Sequence, residues 1–205
     1  MHTGTLDRKL LIATTNQGKV REYKNLLKDV PFVLVSLTDE GITTVVEENG
    51  ITFEENAGLK AKTFAAESRL LTLADDSGIE VDALGGEPGI MSARYAGDDA
   101  TDAERTEYLL SKMKDVPEGK RTARFICVIA IAEPGGETEY FTGECEGTVP
   151  FKPAGELGFG YDPVLYIPEL GKTLAELGSE VKNRISHRAK AAEKARKALI
   201  DRYTI

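Results

Sequence analysis

The amino-acid sequence predicts an α/β protein, a single domain over residues 1–205 with two lobes and an active-site cleft between them. Three observations carry this reading. Lys9 to Thr14 (KLLIAT) is a buried-strand pattern followed by the polar turn Thr15, Asn16, Gln17, Gly18 and by a helical stretch from about Lys19 to Lys28, the strand, turn, helix order that opens α/β folds. A second apolar run, Leu70, Leu71, Leu73 and Ala74, drives straight into Asp75 and Asp76, and Gly78 is expected to break it before another extended segment begins. Thr122 to Ala132 is the strongest strand pattern in the chain, and EPGG at Glu133 to Gly136 turns it back into a strand from Thr138 to Glu146, a hairpin that extends a sheet beyond a parallel core.

Composition narrows the function classes. With 205 residues the chain is long enough to bury a real core, and 41% hydrophobic with 29% charged residues is ordinary for a soluble globular protein. No apolar run approaches a membrane span, and the polar start MHTGTLDRK has no signal-peptide apolar region, so the expected compartment is the cytoplasm and no membrane partner is expected. A formal net charge of -8 argues against a nucleic-acid polymer as partner, which needs positive charge over a broad face. A small anion is still admitted, given a few cations gathered in one cleft or a borrowed divalent metal. Cys127 and Cys145 lie in strand patterns without metal-type spacing and read as buried free thiols.

Along the chain, the turn before Lys19 sets hydroxyls, an amide and a glycine where helix N–H groups and the helix dipole favour an anion, and Lys19 adds a full charge. A plain N-cap by Thr15 or Asn16 accounts for the same residues. Phe32 to Leu37 is a second short strand, and Thr38 to Gly50 is a polar connection holding Glu47 and Glu48. Thr52 opens a helix with a capping-box pattern through Glu55. Phe53, Ala57, Ala61, Phe64 and Ala65 form its buried face, with Asn56, Lys60 and Thr63 on a neighbouring stripe. Lys60 reads either as a solvated lysine or as a cation aimed into a site. Asp75 and Asp76 alternate along a strand, so only one can face a given pocket, and the competing reading makes one of them a turn cap at a strand end.

GGEPG at Gly85 to Gly89 lacks the lysine and hydroxyl of a phosphate loop and reads as a rigid turn whose role is shape. Thr101 to Glu104 is a second capping box, starting a helix to about Met113. Gly155, Gly158 and Gly160 around Phe159 set an aromatic ring on a close-approaching backbone, suited to stacking on a planar ligand; alternatively Phe159 and Tyr161 plug the core. KNRISHR, Lys182 to Arg188, precedes an alanine- and lysine-rich helix to about Tyr203 with Ser186 as N-cap. Lys182, Arg184, His187 and Arg188 are the densest basic cluster ahead of a helix body, and His187 is one of two histidines, the other being His2.

Sorted by chemistry, the candidates are carboxylates (Glu48, Asp75, Asp76), cations (Lys19, Lys60, Lys182, Arg188), polar turn residues (Thr14, Asn16) and the ring of Phe159. That set suits a nucleoside triphosphate with a hard divalent cation. In LIATTNQGK, TFEENAGLKAK, LADDSGIEVDALGGEPGIMSARYAG, GFGYDP, KTLAEL and ISHR, in this order, the chain resembles the inosine triphosphate pyrophosphatases over nearly its whole length. The resemblance implies an elongated mixed sheet flanked by helices in two lobes, a homodimer, Mg²⁺ as cofactor, and hydrolysis of ITP, dITP and XTP to the monophosphate and pyrophosphate. It implies Thr14, Asn16, Lys19 and Lys60 at the triphosphate, Glu48 and Asp76 on the metal, and Asp76 as general base with Asp75 beside it. Phe159 would stack on the purine, with Ser77, Gly160, Tyr161, Asp162, Lys182, Ser186, His187 and Arg188 completing the substrate set. A donor such as Arg188 satisfies a 6-oxo group but meets another donor in the 6-amino group of adenine. The septum-inhibition-related pyrophosphatases are the nearest alternative, disfavoured by GFGYDP and SHR; a non-catalytic nucleotide-binding regulator is the other, disfavoured by the presence of Asp76.

Overall fold

The computed structural model describes residues 8–204, so the expectations resting on residues 1–7, His2 among them, lie outside the described residues. The elements in chain order are β1 (Lys9–Ile12), α1 (Gln17–Leu26), β2 (Val33–Ser36), α2 (Phe53–Ser68), β3 (Leu71–Val81), α3 (Asp102–Lys112), β4 (Thr122–Ala132), β5 (Thr138–Thr148), β6 (Tyr166–Ile167), β7 (Lys172–Thr173), α4 (Ser179–Ile185) and α5 (His187–Tyr203). The strands make one seven-stranded sheet in the order β2-β1-β3-β4-β5-β6-β7. It is mixed, with β1 parallel to β2 and β3 and β6 antiparallel to β5 and β7, so the α/β class is observed. Among the described residues no helix is long and apolar enough to cross a membrane.

The chain divides into two compact units. The first runs to Asp76 and adds Val128–Phe141 and the stretch from Ala192 on; the second is Ser77–Cys127 with Thr142–Ala191. In the first unit Leu10, Leu11 and Ile12 are fully buried, as a strand with parallel neighbours on both sides requires. The predicted face of α2 is buried throughout: Phe53, Ala57, Ala61, Phe64 and Ala65. Its cap departs from the expected box in one arm. The Thr52 hydroxyl accepts from the Glu55 N–H at 3.1 Å, but the Glu55 carboxylate accepts from the N–H of Ile51, at 2.7 Å, not from Thr52.

In the second unit Ile79, Val81, Leu109, Met113, Phe125, Val149 and Leu165 belong to one apolar core. The box starting α3 is reciprocal, Thr101 N–H to Glu104 at 2.7 Å and Glu104 N–H to the Thr101 hydroxyl at 3.2 Å. Arg121 is buried without a carboxylate among its hydrogen-bond partners: its guanidinium donates to the carbonyls of Val149 (2.7 Å), Met113 (2.7 Å), Val116 (2.9 Å) and Pro150 (3.1 Å), and lies 4.3 Å from the centre of the Phe151 ring. It ties the end of α3 to the start of β4 and the end of β5.

One expectation is corrected and another is refined. Gly78 does not break the apolar run: β3 is one strand of 11 residues, with Asp75 and Asp76 in its middle rather than at its end. Extended backbone is open to any residue, glycine included, and β3 lies between β1 and β4 in the sheet. The basic cluster expected ahead of the last helix is itself helical on both sides of Ser186: Lys182 and Arg184 lie on α4, whose seven residues are too few to show a helical period in the sequence, and His187 and Arg188 open α5.

Replacing Arg121 by Ala removes the guanidinium from four backbone carbonyls, of which, among the described residues, only that of Met113 keeps another donor, the Val116 N–H at 3.0 Å. We expect Arg121→Ala to lose about 3 kcal/mol of stability, read from urea denaturation followed by circular dichroism; a loss below about 1 kcal/mol would remove this residue as the tie.

Candidate active site

In the first unit, the turn after β1 is capped from within. The Thr14 hydroxyl accepts from the Asn16 N–H at 3.2 Å, and the Asn16 side chain accepts from the Lys19 N–H at 3.1 Å, so Asn16 is the N-cap of α1. The capping reading is therefore correct for Asn16. It leaves the ammonium of Lys19 to act separately, and this reaches Asp75 on β3 with Nζ to Oδ2 at 2.9 Å. The Asp75 side chain is fully buried.

Asp76, the next residue, has other partners. Asn56 on α2 donates its side-chain N–H to Asp76 at 3.2 Å while its carbonyl oxygen accepts from the Gly50 N–H at 2.8 Å. Lys60, one turn further along α2, lies 2.9 Å from Glu48 and 3.7 Å from Asp76. Burial alone would lower the pKa of Lys60, but the charges of Asp76 and Glu48 outweigh it and hold the ammonium above its ordinary value. For Asp76 burial leads and raises the pKa, with Lys60 opposing and Glu48 reinforcing, so its carboxyl is more basic than an ordinary aspartate. Of the acidic doublet it is Glu48, half-buried, that meets Lys60, whereas Glu47 is exposed.

The second unit gathers the remaining candidates. Gly155, Gly158 and Gly160 all have positive φ, and a Cβ at Gly158 would collide with the Asp162 carboxylate. That carboxylate accepts from the Phe159 N–H at 2.9 Å and pairs with Lys182 Nζ at 2.5 Å. Lys182 Nζ and the Arg188 guanidinium lie 4.9 and 5.5 Å from the centre of the Phe159 ring, so a stacking surface and two donors share one place. Arg188, almost wholly buried, donates to the Ser77 hydroxyl at 3.0 Å. It is aimed there by α5, whose first turn sits directly on β5: a Cβ at Gly143 would collide with the His187 carbonyl and the Ala191 nitrogen.

Several predicted substrate residues have other principal contacts. Tyr161 is a core residue, its ring buried and its hydroxyl donating to the Ser92 carbonyl at 2.8 Å, so the core-plug reading is right for Tyr161 and wrong for the half-buried Phe159. The Gly160 N–H is taken by Asp102 at 2.7 Å. His187 is buried and stacked on Phe125, centroids 4.6 Å apart. The Ser186 hydroxyl accepts from the Ala189 N–H at 3.2 Å, the expected N-cap of α5. Sequence reasoning placed Asn56 on the right stripe without giving it a role, and it missed Ser92, Asp102 and Gly143. An i, i+4 spacing from Asn56 to Lys60 was the one available signal; the other three depend on contacts far apart in the chain.

A model of the Ham1 family matches residues 10–198. A dITP/XTP pyrophosphatase of Bacillus subtilis is 46% identical over 192 residues, covering 94% of this chain and 97% of that one, and one of Shouchella clausii is 49% identical over 183 residues, covering 89% and 92%. Among solved structures, a HAM1 protein from Coxiella burnetii superposes with a TM-score of 0.86 at 39% identity, covering 95% of this chain and 99% of that one. The Ham1 protein of Staphylococcus aureus gives 0.85 at 42% identity with the same coverage.

The Lys60 pairing has a pH signature. Lys60→Met removes the charge that opposes the rise in the Asp76 pKa, so the folded variant binds a proton more readily than the unfolded chain. Stabilisation by that proton is present at low pH and lost as pH rises through the raised pKa. We expect a deficit of about 2 kcal/mol near pH 8 that shrinks toward about pH 5, measured by urea denaturation across the range; a deficit independent of pH would contradict the pairing.

Proposed function

The chain belongs to the Ham1 family, and we propose that it hydrolyses noncanonical purine nucleoside triphosphates to the monophosphate and pyrophosphate, with Lys19, Lys60, Glu48 and Asp76 as the triphosphate and metal contacts and Phe159, Lys182 and Arg188 as the base contacts. Supporting this most directly are the two adjacent acids of β3, Asp75 tied to Lys19 and Asp76 beside Lys60, Glu48 and Asn56. One carboxylate is neutralised by its own lysine; the other is kept basic by burial. That is the division of labour a hydrolase needs between holding charge and accepting a proton.

Glu48 and Asp76 offer hard oxygen donors that sense one another and share one ammonium. Among the described residues no group of three or more His, Cys, Asp and Glu side chains is placed to hold a metal ion. Two carboxylates suit Mg²⁺, which completes its octahedron with phosphate oxygens and water rather than with a protein cage. When bound there, the ion would supply charge neutralisation for the departing pyrophosphate. Lys19 and Lys60 bind and neutralise phosphate oxygens, exchanging their carboxylate partners for the substrate in part. Asp76 holds the attacking water and takes its proton as the anhydride between the α- and β-phosphates breaks. Asp75 keeps Lys19 in place. In the second unit Phe159 stacks on the purine, and Lys182 and Arg188 offer donors to a 6-oxo group, which adenine cannot accept. The proposed assembly is a homodimer acting in the cytoplasm, with the whole chain as one catalytic domain.

A substrate panel with pyrophosphate detection tests the base assignment. dITP, ITP and XTP are expected to turn over at least about a hundredfold faster than ATP, which lacks the 6-oxo group, and an equal rate on ATP would sink it. Asp76→Asn should lower kcat about a thousandfold while a triphosphate still binds; retained turnover would remove Asp76 as the base.

A further inference from the structure

We propose that Asp102, the first residue of α3, is a positioning residue for the Phe159 ring and so sets affinity for the purine without touching it. The proposal rests on the reading that Phe159 stacks on the base.

In the segment from Gly158 to Asp162, Gly158 and Gly160 on either side of Phe159 both take positive φ, and a turn is closed by the Asp162 N–H on the Phe159 carbonyl at 3.3 Å. Glycine has more backbone freedom to lose than any other residue, so the ring's position depends on what ties the flanking amides. Two consecutive N–H groups are tied by carboxylates. Phe159 N–H goes to Asp162, three residues on in the same loop. Gly160 N–H goes to Asp102 at 2.7 Å, 58 residues away in sequence and on a different element. The second tie fixes its amide directly from outside the loop, while the first reaches outside only through the pairing of Asp162 with Lys182 on α4.

Asp102 is itself well set for the task. It follows the reciprocal box of Thr101 and Glu104 directly, so its backbone is fixed as the start of α3. Its other carboxylate oxygen is taken by Arg105 at 2.9 Å, which leaves Oδ2 turned to Gly160. The next residue of the loop is anchored as well, by the Tyr161 hydroxyl on the Ser92 carbonyl, so the Asp102 contact lies between a fixed tyrosine and the ring it steers.

The test compares Asp102→Ala with Asp102→Asn, because the amide oxygen of Asn can still accept from Gly160. With ITP, Asp102→Ala should raise KM about five- to tenfold with kcat within about twofold, the worth of one charge-assisted hydrogen bond. Asp102→Asn should stay within about threefold of the parent KM. Competitive inhibition by inorganic tripolyphosphate, which has no base, should be unchanged in both. Equal KM increases in the two variants, or a matching loss of tripolyphosphate affinity, would overturn the proposal, as would an unchanged KM in Asp102→Ala. Phe159→Ala run alongside separates the two levels: if its KM for ITP does not rise, the stacking reading fails, whereas a rise there without one in Asp102→Ala rejects the positioning role alone.

Discussion

Two carboxylates at adjacent positions in the middle of an unbroken strand are the constraint on which the first unit depends. Side chains of neighbouring strand residues point to opposite faces, so Asp75 and Asp76 cannot be satisfied by one cation. Each burial is tolerable only with its own partner, since an uncompensated charge in the interior costs several kcal/mol (roughly). Lys19 reaches Asp75 from the first turn of α1, and Lys60 reaches Asp76 from α2. The consequences reach back into local structure. Asn16 must cap α1 so that its first turn starts where Lys19 can reach β3, and Asn56 must present its amide with oxygen to Gly50 and nitrogen to Asp76. The inequality of the two acids, one held against Lys19 and the other kept basic by burial in spite of Lys60, follows from these separate surroundings.

The second unit solves a different problem, that of holding an aromatic ring on a backbone rich in glycine. Glycine is required there, because a side chain at Gly158 would displace the Asp162 carboxylate that pairs with Lys182. Rigidity is supplied instead by charge: Asp162, Asp102, Lys182 and Arg188 surround the segment, and Tyr161 is buried beneath it. Arg188 owes its position to Gly143, where the absence of a Cβ lets the first turn of α5 rest on the backbone of β5.

What was legible in the sequence is what short-range patterns encode. The span of β4 reads directly from TARFICVIAIA, the buried face of α2 from its period of apolar residues, and the N-cap roles of Thr101 and Ser186 from local spacing. The departures arise where local pattern is weak. Gly78 reads as a strand breaker but lies inside β3, and α4 is too short for a helical period to show. Tyr161 and Phe159, both aromatic and two residues apart, could not be told apart until one was seen to be buried in the core and the other only partly.

By itself, then, the sequence determined the α/β class, the chemistry available and the motifs by which the chain resembles its family, because these reside in residue type, order and local periodicity. Only the tertiary structure decided which lysine meets which aspartate, that Glu48 rather than Glu47 turns to Lys60, and that Asp102 holds the amide next to Phe159. Those are contacts between groups from 12 to 58 residues apart, and no local pattern encodes the direction in which a side chain will find a partner once the elements pack.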